Sequence, residues 1–162
     1  MVSGNTYRHP AILAKIATTV DIISDGRLNL GIGAGWFEME HAAYGIPFHT
    51  LGERISRLEE AVQIIKMLWT AEEPISFDGR YYSLKEAPFD PKPVQKPHPP
   101  ILIGGSGEKR TLKISAKWAN AVNILGTPDI TARKLNVLQQ HCIDVGRDFN
   151  EIEKTVQARL VP

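Results

Sequence analysis

The sequence predicts an α/β protein built from parallel βα units. Two observations carry that expectation. Segments with helical apolar spacing alternate with short apolar runs along most of the 162 residues. Two of those runs, at 28–33 and 101–103, leave through glycines, as buried strands do where they pass into loops.

Taken in order, residues 10 to 24 read as a helix. Pro10 suits the first helical position, Leu13, Ile16, Ala17 and Val20 form the apolar stripe, and Asp25-Gly26 stops it. Leu28 to Gly33 is the first full strand. Residues 51 to 69 hold the most regular helix, with Ile55, Leu58, Val62, Ile65 and Trp69 on one face and Glu53 and Arg57 one turn apart on the polar side. Ile75 to Leu84 reads as a β-hairpin around Asp78-Gly79. Six prolines between 88 and 100 predict an extended connector, which could also be a loose interdomain linker. Ile101–Ile103 is a strand, about 108 to 119 a helix, and Ala121–Leu125 a strand. Thr131–Val145 is a helix with Leu135, Leu138, Cys142 and Val145 inward and Gly146 as its stop. Thr155–Val161 closes the series, with Val156, Ala158 and Leu160 on one side.

Composition narrows the function classes. With 43% hydrophobic and 23% charged residues the chain has the make-up of a soluble globular domain. A formal net charge of +1 argues against nucleic acid or an anionic membrane surface as the main partner. No run approaches the roughly 18 apolar residues of a membrane span. The polar start suggests no cleaved signal, and the single cysteine, Cys142, forms no internal disulfide. A cytoplasmic protein is expected.

Three motifs could carry chemistry. Gly31-Ile-Gly-Ala-Gly35-Trp36 leaves a strand through glycines that admit a ligand to the backbone. It approaches the dinucleotide fingerprint, but Trp36 stands where that motif needs glycine and no acidic residue follows at the required distance. The same glycines could serve only a tight turn. Gly104-Gly105-Ser106-Gly107 leads from a strand directly into a helix, a favourable phosphate cradle. Lys109 and Arg110 in the first turn oppose the helix dipole, a conflict that a bound anion would relieve. A plain turn capped by Ser106 is the alternative. Trp36-Phe-Glu38-Met-Glu40-His41 offers two carboxylates and a histidine as acid–base groups, or simply a loop anchor and surface. No metal-ligand spacing is present, so no metal site is expected.

Several of these segments resemble the luciferase-like monooxygenase family, and most of all its deazaflavin (coenzyme F420) branch. The matching stretches are Tyr7-Arg-His-Pro-Ala11, Asp21-Ile-Ile-Ser-Asp-Gly-Arg-Leu28, Leu30-Gly-Ile-Gly-Ala-Gly-Trp36, Glu40, Ala43-Tyr-Gly-Ile-Pro47, Phe77-Asp-Gly-Arg-Tyr-Tyr82 and Pro91 through Gly105. The resemblance implies a partial (β/α)₈ TIM barrel of about four parallel βα units with a β-hairpin insertion. It treats 1–162 as one domain with the hairpin and proline-rich insertion at about 73–100.

It also implies deazaflavin as cofactor, with FMN as the alternative, and hydride transfer or oxygen insertion on a small organic substrate. A non-proline cis peptide of the family maps onto Met1-Val2. Val2 and Ser3 are thus expected against the ring, Gly104, Gly105, Ser106 and Gly107 on the phosphate, and Trp36, Glu38 and Glu40 in the substrate pocket. The catalytic residue stays unassigned. Trp36 occupies the place of the catalytic Glu of the sugar-phosphate dehydrogenases, so that activity is not expected.

A whole barrel of this type needs about 250 residues. The chain therefore reads as a fragment or truncated product that starts at the end of a third strand and stops within a seventh. It is expected to be inactive alone, and its open sheet edges to favour homo-oligomers or aggregation. The competing reading is a non-catalytic half-barrel that pairs with itself or with a partner chain.

Overall fold

The computed structural model describes residues 2–157. Five strands form one sheet in the order β1-β2-β5-β6-β7: Ser3–Gly4, Leu30–Gly33, Ile101–Gly104, Ala121–Leu125 and Glu153–Gln157. Every pairing in it is parallel. The crossovers carry α1 (Pro10–Ile23), α2 (Glu38–Ala43), α3 (Leu51–Thr70), α4 (Thr111–Trp118) and α5 (Pro128–Val145). A separate antiparallel pair, β3 (Ile75–Asp78) and β4 (Ser83–Ala87), follows α3. The sheet is an open, partial barrel wall, as expected. Among the described residues no helix is long and apolar enough to cross a membrane.

Alternation along each strand assigns its two faces. Leu30, Ile32, Ile101, Ile103, Val122 and Ile124 are buried under the helices. Their partners in the core are Leu58, Val62, Ile65, Leu68 and Trp69 of α3, Leu112 of α4, and Leu138 and Cys142 of α5. Burying one such side chain stabilises the fold by about 1.5–3 kcal/mol.

The inward face of α1 differs from the expected stripe. Leu13, Ala14, Ala17, Thr18 and Asp21 are the buried residues, whereas Ile16 and Val20 are 45% and 46% exposed. Small residues on the buried side let α3 approach closely, and the Trp69 indole donates to Thr18 Oγ1 at 3.0 Å. Ile12, Ile16, Val20 and Ile23 line the other flank, which stays open.

The proline-rich stretch is no loose linker. Phe89 and His98 are buried, and Lys92 Nζ donates to the Leu68 carbonyl at 2.8 Å. Gln95 donates through its backbone and side-chain nitrogens to both carboxylate oxygens of the fully buried Asp21. The segment thus straps α1 to α3, and Gln95 satisfies an acid that would otherwise be buried unpaired.

The glycine of the hairpin has a purpose other than the expected tight turn. Asp78 pairs with Ser83, so the loop holds four residues. Its backbone N–H groups at Arg80, Tyr81 and Tyr82 donate to the Glu60 carboxylate at 3.0, 3.0 and 3.1 Å. A Cβ at Gly79 would lie 2.5 Å from Glu60 Oε2. It would lie equally close to Phe77 Cε1, so glycine leaves room for both the carboxylate and the ring.

Helix ends largely follow the sequence. Gly146 takes φ +69 at the end of α5, and α5 begins earlier than expected, at Pro128 behind the Thr127 cap. The helix after the second glycine turn begins later, at Thr111 with Arg110 preceding it, so Ser106 does not cap it. Of the last strand, Thr155, Val156 and Gln157 are seen in β7, while Ala158, Leu160 and Val161 lie outside the described residues.

Candidate functional site

The face of the sheet turned away from the helices carries the candidate site. Strand register sets Gly4, Gly33, Gly104, Asn123 and Thr155 side by side near the carboxyl ends of five strands. Three are glycines, so the floor is unusually low. Val2 reaches over it: a Cβ on Gly104 would lie 2.7 Å from Val2 Cγ2, and one on Gly33 would lie 3.3 Å from the same atom. A side chain at 104 would displace Val2, and one at 33 would crowd both Val2 and the Gly104 carbonyl. Asn123 Nδ2 donates to Thr155 Oγ1 at 2.9 Å, and that hydroxyl donates to the Val122 carbonyl at 2.8 Å. The Asn123 carbonyl oxygen is thereby oriented. Sequence reasoning missed Asn123 and Thr155, because only register puts them beside the glycines.

At the end of β5 the chain turns through Gly104-Gly-Ser-Gly107. Gly105 sits at φ +107, a conformation that L side chains rarely adopt. A Cβ on Gly107 would meet Thr111 Oγ1 at 3.1 Å. Lys134 of α5 extends to this turn, its ammonium donating to the Ser106 carbonyl and hydroxyl, each at 2.8 Å. A half-buried cation therefore stands beside backbone that is open to an anion. Lys134 lies 28 residues from Ser106, and nothing in the sequence links them. Arg110, which the sequence suggested for the same turn, instead donates to the Gly52 carbonyl and Ser56 hydroxyl at 2.9 and 2.7 Å and ties α4 to α3.

The remaining candidates divide. Trp36 is 81% exposed and packs on Phe37, with ring centroids 5.2 Å apart. Glu38 is exposed in the first turn of α2. Glu40 accepts a hydrogen bond from the Tyr7 hydroxyl, which holds the loop after β1 against α2. That bond, with burial, raises the Tyr7 phenol above its ordinary value of 10.0. Ser3 pairs with Ile32, in the layer that alternation turns towards the helices. The Met1-Val2 bond lies outside the described residues.

His41 completes a buried knot. Its Nδ1 lies 2.8 Å from the Phe37 carbonyl, which can only accept, so Nδ1 carries the proton. Nε2 lies in hydrogen-bond contact with the Thr6 hydroxyl at 2.7 Å. The ring stacks on Tyr7 with centroids 4.7 Å apart. With both nitrogens occupied, His41 orients the two loops rather than facing the open floor.

Comparison with known proteins gives a consistent picture. The sequence model for luciferase-like monooxygenases matches residues 1–162. An F420-dependent glucose-6-phosphate dehydrogenase of Microbacterium testaceum is 30% identical over 159 residues, which cover 96% of this chain and 46% of that protein. An FMNH2-dependent dimethylsulfone monooxygenase of Pseudomonas putida is 39% identical over 97 residues, or 60% of this chain and 26% of that protein. The solved structure of an F420-dependent secondary alcohol dehydrogenase superimposes with a TM-score of 0.85 at 23% identity, covering 96% of this chain and 47% of that one. The chain spans less than half the length of each of these proteins.

Proposed function

Because the chain belongs to the luciferase-like monooxygenase family, by a match running over residues 1–162, we propose that it forms the cofactor-holding wall of a flavin- or deazaflavin-dependent oxidoreductase. The observation that carries this reading is the pair of facing glycines, Gly33 and Gly104, with Val2 over them and the Lys134-backed glycine turn beside them.

These residues fit a flat ring joined to a phosphate. Val2 and the low floor at Gly33 and Gly104 would take the ring. Gly104, Gly105, Ser106 and Gly107 would hold the phosphate through backbone N–H groups, with Lys134 supplying the counter-charge. Asn123 would present its oriented amide to the ring edge or the substrate. Trp36, Glu38 and Glu40 would border the substrate, with Glu40 fixed by Tyr7. The cofactor, when bound, supplies hydride transfer or oxygen activation towards a small organic substrate. The chain's own residues bind, orient and keep water from the ring face.

Deazaflavin is the first choice and FMN the second, since relatives of both kinds match. We read residues 1–162 as one domain with an insertion at about 73–100, supported by the packing of the strap on α1 and α3. A closed barrel of this kind has eight strands, so the chain alone is expected to bind the cofactor weakly and to lack turnover. Self-association through the open sheet edges, aided by the exposed flank of α1, is part of this reading, as is a cytoplasmic location. A purely non-catalytic module is less favoured, because it has no need of the glycine floor.

Titration of ¹⁵N-labelled protein with FMN and with riboflavin tests the proposal. FMN at roughly millimolar concentration should shift the amides of Gly105, Ser106 and Gly107, and riboflavin, which lacks the phosphate, should not. Lys134→Met should weaken FMN about tenfold, a loss of one charge-assisted contact. Unmoved turn amides, or equal shifts with the two ligands, would overturn it.

A further inference from the structure

A second hollow, of about 210 Å³, opens beside the loop that follows β1. Its wall comes from several separate places. Asn5, Arg8 and His9 belong to the β1–α1 loop, His49 to the approach to α3, Arg57 to α3 and Tyr82 to the hairpin. None of these residues belongs to the glycine floor or the phosphate turn.

Two of its lining residues, Arg8 and Arg57, are guanidinium cations, and no carboxylate lines it. Arg57 is spoken for in part: it pairs with Glu53 at 2.8 Å, and His49 lies 3.3 Å from the same carboxylate oxygen. Arg8 is exposed and forms no ion pair among the described residues. Guanidinium groups that face one hollow repel each other unless an anion lies between them.

Asn5 adds an independent sign. The residue is 3% exposed, and its Nδ2 donates to the Arg54 carbonyl at 3.3 Å. A carbonyl accepts only, so this contact fixes which end of the amide is which. The Asn5 Oδ1 is left buried with no hydrogen-bond partner among the described residues. A buried acceptor without a partner is costly and calls for a donor.

We propose that this hollow binds a small oxyanion next to a hydroxyl or amine, with Arg8 and Arg57 on the anion and the Asn5 amide, whose Oδ1 is otherwise sealed from solvent, shifting to accept from the neighbouring donor. The hollow stands at the carboxyl end of β1, on the rim that also carries the phosphate turn at the end of β5. Its ligand is therefore the polar end of a substrate whose reactive part reaches the glycine floor. Only that last assignment rests on the proposed oxidoreductase function; the binding itself does not. Carboxylate, sulfonate and phosphate share the required chemistry.

Amide shifts in ¹⁵N-labelled protein decide the matter, with glycolate, acetate, methanesulfonate and inorganic phosphate as probes. Glycolate, a carboxylate beside a hydroxyl, should give saturable shifts at Thr6, Arg8, His9 and His49. Acetate lacks the donor and should bind about tenfold more weakly. The relative strength of methanesulfonate and phosphate identifies the preferred anion. Arg8→Gln, an exposed position that folding does not need, should weaken every probe about tenfold. Shifts that stay linear to about 100 mM, where counter-ion screening dominates, would overturn the proposal. So would an unchanged affinity in Arg8→Gln, or shifts confined to residues 104–107. Saturable glycolate binding together with a failure of FMN to move the turn at 104–107 would uphold the oxyanion site and sink only the cofactor assignment.

Discussion

His98 shows how one side chain links the strap to acid sensitivity. It is buried against the Trp69 ring, with centroids 6.0 Å apart, and its Nδ1 donates to the Pro99 carbonyl at 2.8 Å. Burial pushes its pKa below the ordinary 6.5, and the Pro99 contact only partly offsets that. The unfolded chain therefore takes up this proton more readily than the folded one. The histidine's contribution to stability is complete above about pH 6.5 and falls as pH drops below that value. Urea midpoints measured from pH 7.5 to pH 5 should decline, and His98→Leu should flatten the decline; an unchanged slope in the variant would remove His98 as its source. At this level the sequence was only partly informative. Glycines at 33, 104, 105 and 107 were legible because glycine gathered at the end of an apolar run marks backbone that must turn sharply or be approached closely. Asn5, Asn123 and Lys134 were not, since their roles depend on partners 28 or more residues away.

One carboxylate of α3 gathers the backbone of the hairpin loop, beside the packing of Ile75, Phe77 and Leu84 on the core. Three backbone N–H groups converge on Glu60, and a charged acceptor strengthens each bond. Glu60→Gln places an amide NH2 against one of these donors. The change should cost about 1–3 kcal/mol locally. Hydrogen exchange should report it: protection at Arg80, Tyr81 and Tyr82 falls, while Ile101 and Ile103 in the sheet keep theirs. Equal loss at both places would mean that Glu60 supports the whole fold instead. Element order, helix α3, the hairpin and the glycine-bounded strands could all be read from periodicity. Only half of the α1 stripe was legible: Leu13 and Ala17 are buried as expected, while Ile16 and Val20, no less apolar, are exposed. Tertiary proximity to α3, not hydropathy, chose Ala14 and Thr18. The short helix α2 also escaped notice, as six residues are too few to show a period.

Taken whole, the molecule is a barrel wall with apolar surface left on its flank. Ile12, Ile16, Val20 and Ile23 are all exposed along α1, on the side away from α3. Their spacing gives a continuous stripe that water solvates poorly. Sedimentation velocity should show association that grows with protein concentration. Introducing charge with the double substitution Ile16→Glu and Val20→Glu should restore the monomer without unfolding it, since neither residue is in the core. A wild-type protein that stays monomeric at about 100 μM, well above a micromolar dissociation constant, would refute this.

The pairing of β2 with β5 has a consequence for how the chain reaches this state. Leu30 lies beside Ile101, about seventy residues later in sequence. The other sheet contacts join segments much closer together, such as Leu102 with Ala121 and Ser3 with Ile32. Closing the long loop is entropically dearer and slower than closing the short ones. The two portions on either side of the strap can thus organise first, each around its own local crossovers. The glycine row is completed only when they meet, so the ligand-facing floor is expected to be the last part of the sheet to form.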